Sequence, residues 1–250
     1  MTTAAERIQK LLAHAGIGSR REIESWIRVG KVTVNGRPAS LGQKILPSDQ
    51  VNIEGRRIAL ERRLSVARRV LLYRKKQGEI VALRDPEGRD TVFRRLPKLT
   101  EGRWIAVGRL DYNTSGLLLF TTDGELARRL MHPKYGIERE YAVRVLGDVS
   151  DDVLERLRRG VKLDDGPAHF DRIVPAGGEG ANRWYNVVLR EGRNRVVRRL
   201  IESQDLQVSR LIRVRFGPYG IPGGVKAGSH CELSDKEIQP LLDLVGLKAD

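Results

Sequence analysis

The stretch Gly108-Arg109-Leu110-Asp111-Tyr112-Asn113-Thr114-Ser115-Gly116-Leu117-Leu118-Leu119-Phe120-Thr121 constrains this chain most. A polar, turn-forming loop runs straight into the wholly apolar segment Leu117 to Phe120. A short continuous apolar run bounded by turn residues reads as a buried strand. A strand entered through such a loop can hold a side chain at its mouth, where a substrate can reach it. Asp111 is the carboxylate placed there. An isolated Asp in a Gly/Asn/Ser-rich loop ordinarily just caps a turn, so the rest of the chain has to decide between the two roles.

The chain has 250 residues, which suits one large or two modest domains. Its formal charge of +14 points to a polyanionic partner, because phosphates neutralised by Lys and Arg release counterions and drive binding. No segment has the apolar length of a membrane span. The N-terminus, Met1-Thr2-Thr3-Ala4-Ala5-Glu6-Arg7, lacks the apolar core of a secretory signal, so a cytoplasmic location is expected. Cys231 is the single cysteine, which excludes an intrachain disulfide and a Cys-rich zinc site. His14, His132, His169 and His230 are scattered without metal-ligand spacing. Each is expected to be a surface or core histidine and not a ligand. Any catalyst here works with carboxylates, tyrosines and basic groups.

Residues 1–60 read as a small module. Ile8, Leu11, Leu12 and Ala15 fall at helical spacing, and Gly16 can close that helix. Ser19 and Glu22 form a capping box for a second helix that turns Ile23, Trp26 and Ile27 inward. Val32-Thr33-Val34 alternates as a strand, Asn35-Gly36 makes a tight turn, and Val51-Asn52-Ile53 is a closing strand. Residues 1–63 hold twelve Lys/Arg against six Asp/Glu, a net +6. Arg20, Arg21, Arg28 and Lys31 cluster around the second helix, where basic groups can read phosphates. Residues 61–68 are polar, Arg-rich and without a sustained period, which predicts a mobile linker.

From residue 69 to 245 strands and helices intermix. Val70 to Tyr73, Glu140 to Leu146, Trp184 to Leu189 and Val208 to Phe216 read as strands. Thr122 and Glu125 predict a capping box opening a helix through Leu130, and Ser234 with Glu237 caps a last helix. Val153, Leu154 and Leu157 are helically spaced before Gly160, and Val196 to Ile201 reads as helix. The pattern is α+β, with a mixed, mainly antiparallel sheet.

Three blocks in order carry a resemblance: the Asp111 loop, Glu138-Arg139-Glu140-Tyr141-Ala142-Val143, and Glu191-Gly192-Arg193-Asn194-Arg195-Val196-Val197-Arg198-Arg199. Together they resemble the bacterial ribosomal-RNA pseudouridine synthases. The N-terminal blocks Gly18-Ser19-Arg20-Arg21 and Gly30-Lys31-Val32-Thr33-Val34-Asn35-Gly36 resemble an S4 RNA-binding domain. The resemblance implies an S4-like module over 1–60 and a catalytic domain over 69–245. It implies Asp111 as nucleophile, Tyr141 stacked on the target uracil, and Arg198 paired with Asp111, in a reaction that needs neither a metal nor an organic cofactor. Burial disfavours a charged carboxylate, and a neighbouring guanidinium restores it. Arg109 would help flip the base or bind its phosphate, and Leu117 and Leu118 would wall the pocket. Arg195 and Arg199 would meet phosphates or be a solvated helix face; a helix through them puts Arg195, not Arg199, on the face of Arg198.

Two departures stand out. Where the family usually carries Lys-Pro before a glycine, this chain has Lys75-Lys76-Gln77-Gly78, and Val196 replaces the usual Glu or Gln. Asp85-Pro86-Glu87-Gly88-Arg89, Arg94-Arg95-Leu96-Pro97, Arg103 to Arg109 and Gly177-Gly178-Glu179-Gly180 are most similar to the branch acting on 23S rRNA of the large subunit, near the peptidyl-transferase region. The expected partner is that RNA, free or in a large-subunit precursor, and the protein is expected to be a monomer. The alternatives are an enzyme for 16S rRNA and a non-catalytic S4-type assembly factor. A methyltransferase would need a glycine-rich cofactor loop after a strand, which the glycines at 177–180 lack.

Overall fold

The computed structural model describes residues 4–64, 67–180 and 182–248. The N-terminal part is built from β1 (Glu6–Arg7), α1 (Ile8–His14), α2 (Arg20–Arg28), β2 (Val32–Val34), β3 (Arg37–Pro38), β4 (Lys44–Ile45), β5 (Val51–Ile53), β6 (Arg56–Ile58) and α3 (Leu60–Leu64). The expected capping box is present: Glu22 N–H donates to Ser19 Oγ, and Ser19 N–H donates to the Glu22 carboxylate. Ile23 and Ile27, one turn apart, bury against Ile8, Leu11, Leu12, Val32, Val34 and Val51. Strands pair in the order β3-β2-β5-β6.

The segment after this module differs from the expected mobile linker. Residues 60–64 form α3, with Leu60 buried and Leu64 packed on the module core. Their i,i+4 spacing is an apolar period short enough to hide among arginines. Ser65 and Val66 lie outside the described residues. Beyond them Arg68 pairs with Asp123 at 2.8 Å, and Arg69 pairs with Glu232. A loop near residue 101 reaches back to the module. Arg62 pairs with Glu101 at 3.0 Å, and Gly16, at φ +74°, lies so close to Gly102 that a Cβ would sit 2.5 Å from its Cα.

The second part adds β7 (Val70–Lys75), β8 (Ile105–Ala106), β9 (Thr114–Thr121), α4 (Gly124–Met131), β10 (Arg139–Leu146), α5 (Asp151–Arg159), β11 (Val161–Leu163) and β12 (Gly166–Ala168). It continues with β13 (Arg172–Glu179), β14 (Asn182–Leu189), α6 (Val196–Glu202), β15 (Gln207–Phe216), β16 (Tyr219–Gly220), β17 (His230–Glu232) and α7 (Asp235–Val245). One sheet runs β13-β14-β10-β15-β9-β7-β17, with β16 on β15 and β8 on β9. Its pairs are antiparallel except β15 with β9. The fold is therefore an S4-like module plus an α+β domain on a mixed, mainly antiparallel sheet.

Strand alternation decides what each face meets. On β9, Leu117 and Leu119 pack toward Leu126 and Leu130 of α4 and Ile238, Leu241 and Leu242 of α7. Leu118 and Phe120 turn the other way, toward Val92, Trp104 and Leu110. Val143, Val145, Tyr185, Val187 and Leu211 are covered by Leu154 and Leu157 of α5 and Val197 and Leu200 of α6. Tyr141 packs against both of the last two groups, so the site forms at their junction. One cap differs from the expected box. Asp123, not Thr122, is the N-cap of α4, its Oδ1 accepting from Glu125 and Leu126 N–H. The expected box of Ser234 and Glu237 opens α7.

Candidate active site

A cavity of about 590 Å³ opens where the Asp111 loop, β10, β15 and the start of α6 meet. Asp111, Arg109, Tyr141, Arg195, Val196, Arg139 and Arg213 line it. The volume falls in the range of sites that enclose a small ligand, and the lining joins apolar walls to one carboxylate and several guanidinium groups.

The loop carrying Asp111 is held by its backbone carbonyls. The Asp111 carbonyl accepts from Lys75 Nζ at 3.0 Å and from Thr114 N–H at 3.0 Å. The Tyr112 carbonyl accepts from Gly78 N–H, and the Asn113 carbonyl from Arg198 Nη2 at 3.2 Å. The Thr114 carbonyl accepts from Lys75 Nζ at 2.8 Å. Donors from three parts of the chain thus fix four successive carbonyls. The Asp111 side chain stays 40% exposed, facing the cavity on a pre-organised backbone.

This assigns Arg198 a place other than the expected one. Its Nη1 donates to Val208 O at 3.0 Å and its Nη2 to Asn113 O. It is 7% exposed and does not line the cavity. The ion pair with Asp111 comes from Arg195, Nη1 to Oδ2, at 3.9 Å. The reason is local backbone geometry. Arg195 sits in the left-handed region at φ +50° as the N-cap of α6, so it precedes the helix and points elsewhere than a helical residue would. Burial lowers the affinity of Arg198 for its proton and the neighbouring Arg195 charge adds to this, while the charges of Asp111 and Glu202 oppose it.

The other expected site residues divide. Arg109 and Tyr141 line the cavity as expected. Leu117 and Leu118 do not: both are fully buried, on opposite faces of β9, since adjacent strand residues cannot share a face. Arg199 is drawn away by a bidentate pair with Asp165 at 2.8 and 2.9 Å. Arg20, Arg21 and Arg28 are exposed on α2, and Lys31 is engaged by Glu54 at 2.6 Å.

Three cationic residues escaped the sequence reading. Lys75 is 1% exposed, Arg139 7% and Arg213 2%. Arg139 Nη1 donates to Ile137 O and Arg190 O, with its guanidinium over Phe216. Arg213 Nε donates to Leu117 O at 2.7 Å. A lysine ending the apolar run of β7 was the available signal. The missing proline at position 76 also has a reading. Lys76 N–H donates to Glu79 Oε2 at 3.0 Å, a donor that proline lacks. Glu79 is buried, accepts from Tyr73 Oη and pairs with Arg95 at 2.9 Å, so hydrogen bonds pin this turn. Val196 is 5% exposed and adds an apolar surface to the cavity in place of a polar side chain.

Burial pushes the Lys75 ammonium down to about 8, with Glu79 and Asp111 pulling it up in part. The unfolded chain keeps that proton to about 10.4. Between the two values the unfolded state binds more protons, so from this group stability rises with pH across that window. The loop responds oppositely. A neutral amine has two protons for its three carbonyl acceptors. Activity is expected to fall as pH rises past about 8. A pH–rate profile checks this, and Lys75→Met should be slower and lose that limb.

Arg195→Ala and Arg198→Ala should fail differently. Arg195→Ala removes the ion-paired countercharge at Asp111, together with a pair to Glu202 at 3.7 Å, and is expected to lower turnover by about 10–100-fold with little change in thermal stability, since ion pairs this exposed contribute at most about 1 kcal/mol each. Arg198→Ala leaves two carbonyls short of a donor and should cost about 1–3 kcal/mol each where they stay dry. Parallel melting curves and single-turnover rates separate the two.

Comparison with known proteins places the chain in a family. The family described as RNA pseudouridylate synthase matches residues 69–203, and the S4 domain matches residues 6–51. The chain belongs to the RNA pseudouridylate synthase family and carries an S4 domain at its N-terminal side. Among individual proteins it is similar to the ribosomal large subunit pseudouridine synthase B of Pseudomonas aeruginosa, 56% identical over 97% of this chain and 63% of that relative. The chain therefore spans under two thirds of that relative's length. The proteins of the same name from Yersinia pestis and Escherichia coli (strain K12) are 54% and 56% identical, over 98% and 97% of this chain and 78% and 84% of theirs. A crystal structure of a pseudouridylate synthase shares the fold, with a TM-score of 0.65 at 22% identity over 94% of this chain and 99% of that one.

Proposed function

We propose that this protein isomerises one uridine of 23S ribosomal RNA, in the peptidyl-transferase region, to pseudouridine, with Asp111 as the nucleophile on a flipped-out uridine. The observation that carries the reading is the Asp111 carboxylate on a loop tethered at four carbonyls, sharing one cavity with Tyr141 and Arg195. The relatives' name, ribosomal large subunit pseudouridine synthase B, supports the choice of RNA.

The reaction breaks the N1–C1′ bond, turns the uracil and joins C5 to C1′; the C5 proton is lost to solvent and N1 takes one up, so no atom is gained or lost. It needs an ionised carboxylate close to the ribose. Arg195 opposes the desolvation that a bound nucleotide imposes on Asp111, and its attraction grows as water leaves. Tyr141 stacks on the extruded uracil, and Arg109, exposed at the rim, holds the displaced strand or its phosphate. Arg198 and Lys75 position the loop. Residues 1–60 form the RNA-binding module, with Arg20, Arg21 and Arg28 meeting phosphates. Residues 61–68 join it to the catalytic domain, 69–245. The protein acts as a cytoplasmic monomer on 23S RNA or a large-subunit precursor, without a cofactor.

Tritium release from uridine labelled at C5 tests this. Release from 23S transcripts and not from 16S transcripts is expected. Release from 16S alone would transfer the substrate to the small subunit, and binding without release would make this an RNA-binding factor.

A further inference from the structure

The helices leave half of one sheet face open. α4 and α7 cover β7 and β9 on one face, while α5 and α6 cover β10, β14 and β15 on the other. On the uncovered side of β10, β14 and β15, register places Arg210, Arg144 and Trp184 in one row. The next row holds Ile212, Ala142, Asn186 and Val174. Ala142, Asn186 and Ile212 sit in paired strands yet keep part of their surface in solvent, and Val174 is 37% exposed.

Arg144 is pre-set within this surface. Its Nε donates to Ser209 Oγ at 2.9 Å, and its guanidinium lies 5.8 Å from the Trp184 ring centroid. Ser209 is the extra residue of a bulge between the Arg144–Arg210 and Val145–Val208 pairs. Neither Arg144 nor Arg210 has a carboxylate partner among the described residues. Glu140, in the row beyond, is taken up by Arg172 and Arg215. A guanidinium fixed through Nε and stacked on an aromatic presents its two Nη groups as a fork suited to a phosphate.

We infer that this open sheet face is a second RNA-binding surface, separate from the catalytic cavity, that takes a single-stranded segment. Phosphates lie on Arg144 and Arg210, and bases lie on Trp184 and the Ile212–Ala142–Val174 strip. A sheet surface with an aromatic ring and unpaired arginines suits unstacked bases and their backbone, whereas a duplex hides its base faces. The inference rests on the reading that the protein works on RNA, but it is probed by contact and not by turnover.

The test uses a 4-thiouridine-containing single-stranded oligouridylate of about 12 nucleotides, long enough to cover one sheet face. Ultraviolet cross-linking should recover a peptide containing Trp184. The Arg144→Ala/Arg210→Ala variant should bind the oligonucleotide about tenfold more weakly. Its log–log salt slope should be shallower by about 1.4, two single-strand phosphates' worth. Arg210→Glu alone carries the test if the double variant fails to fold, because that side chain is exposed. Cross-links confined to residues 1–60 and the cavity, with affinity unchanged in the variants, would overturn the inference. So would unchanged RNA affinity together with lost self-association in sedimentation, which assigns the face to a second copy of the chain. Cross-linking at Trp184 without tritium release would leave this surface standing while the catalytic reading fails.

Discussion

Asp111→Asn is expected to abolish pseudouridine formation, by about 10⁴-fold or more, while RNA affinity stays within a few fold. A catalyst that forms a covalent bond through a carboxylate has no substitute pathway when the nucleophile is removed. Asn keeps the shape and can keep every backbone contact of the loop, because those contacts run through carbonyls and not through the side chain. The loss should therefore appear in single-turnover rate and not in binding or melting temperature. Asp111→Asn also removes one of the two ion pairs of Arg195, which keeps Glu202 at 3.7 Å; the lost pair is loose at 3.9 Å and half in solvent, so the fold should not notice. Turnover by the purified Asn variant within tenfold of wild type would end the assignment of Asp111.

Gly116→Ala is expected to be the most damaging substitution for the fold. Gly116 lies where β9 pairs in parallel with β15, opposite Arg213. An added Cβ would stand 2.2 Å from the Arg213 carbonyl oxygen and 2.6 Å from its nitrogen, at a residue with φ +107°. Both obstacles are backbone, so neither can swing aside. Left-handed strain and overpacking each cost about 1–3 kcal/mol, a large part of the roughly 5–15 kcal/mol that holds a domain folded. Parting these strands also frees the Arg213 contact to Leu117 and the Lys75 contacts to the Asp111 loop. The variant should be poorly soluble or melt many degrees lower, without turnover. A melting temperature within two or three degrees of wild type would mean that the two strands are not tightly joined there.

What was legible in the sequence follows periodicity and capping. Ser19 with Glu22 and Ser234 with Glu237 each open a helix where expected, because a capping box is a local contract between four residues. The apolar runs of β7 and β9 were equally plain. β13 was not visible, since Arg172–Glu179 contains Pro175, Gly177 and Gly178. It is an edge strand with a register shift between Pro175 and Gly178, where proline and glycine are tolerated. That shift also explains why the glycines at 177–180 belong to a hairpin and not to a cofactor loop.

At the site, the position of Asp111 was readable and its partner was not. Choosing between Arg195 and Arg198 depends on the backbone just before α6: the helix begins at Val196 as expected, but the left-handed Arg195 leaves the face that helical spacing would give it. Placing Leu117 and Leu118 together on the pocket wall ignored the two-residue alternation of the strand that holds them. Lys75 was invisible as a loop anchor because its acceptors, the carbonyls of Asp111 and Thr114, come from 36 and 39 residues away. Such contacts are properties of the assembled sheet.

The most direct test of the account maps pseudouridine at single-nucleotide resolution in unmodified 23S rRNA after incubation with the purified protein and, in parallel, with Asp111→Asn. The account predicts one new pseudouridine, in the peptidyl-transferase region, with wild type and none with the variant. An rRNA that is bound by both proteins yet carries no new pseudouridine, or carries the same one after exposure to either, would contradict it.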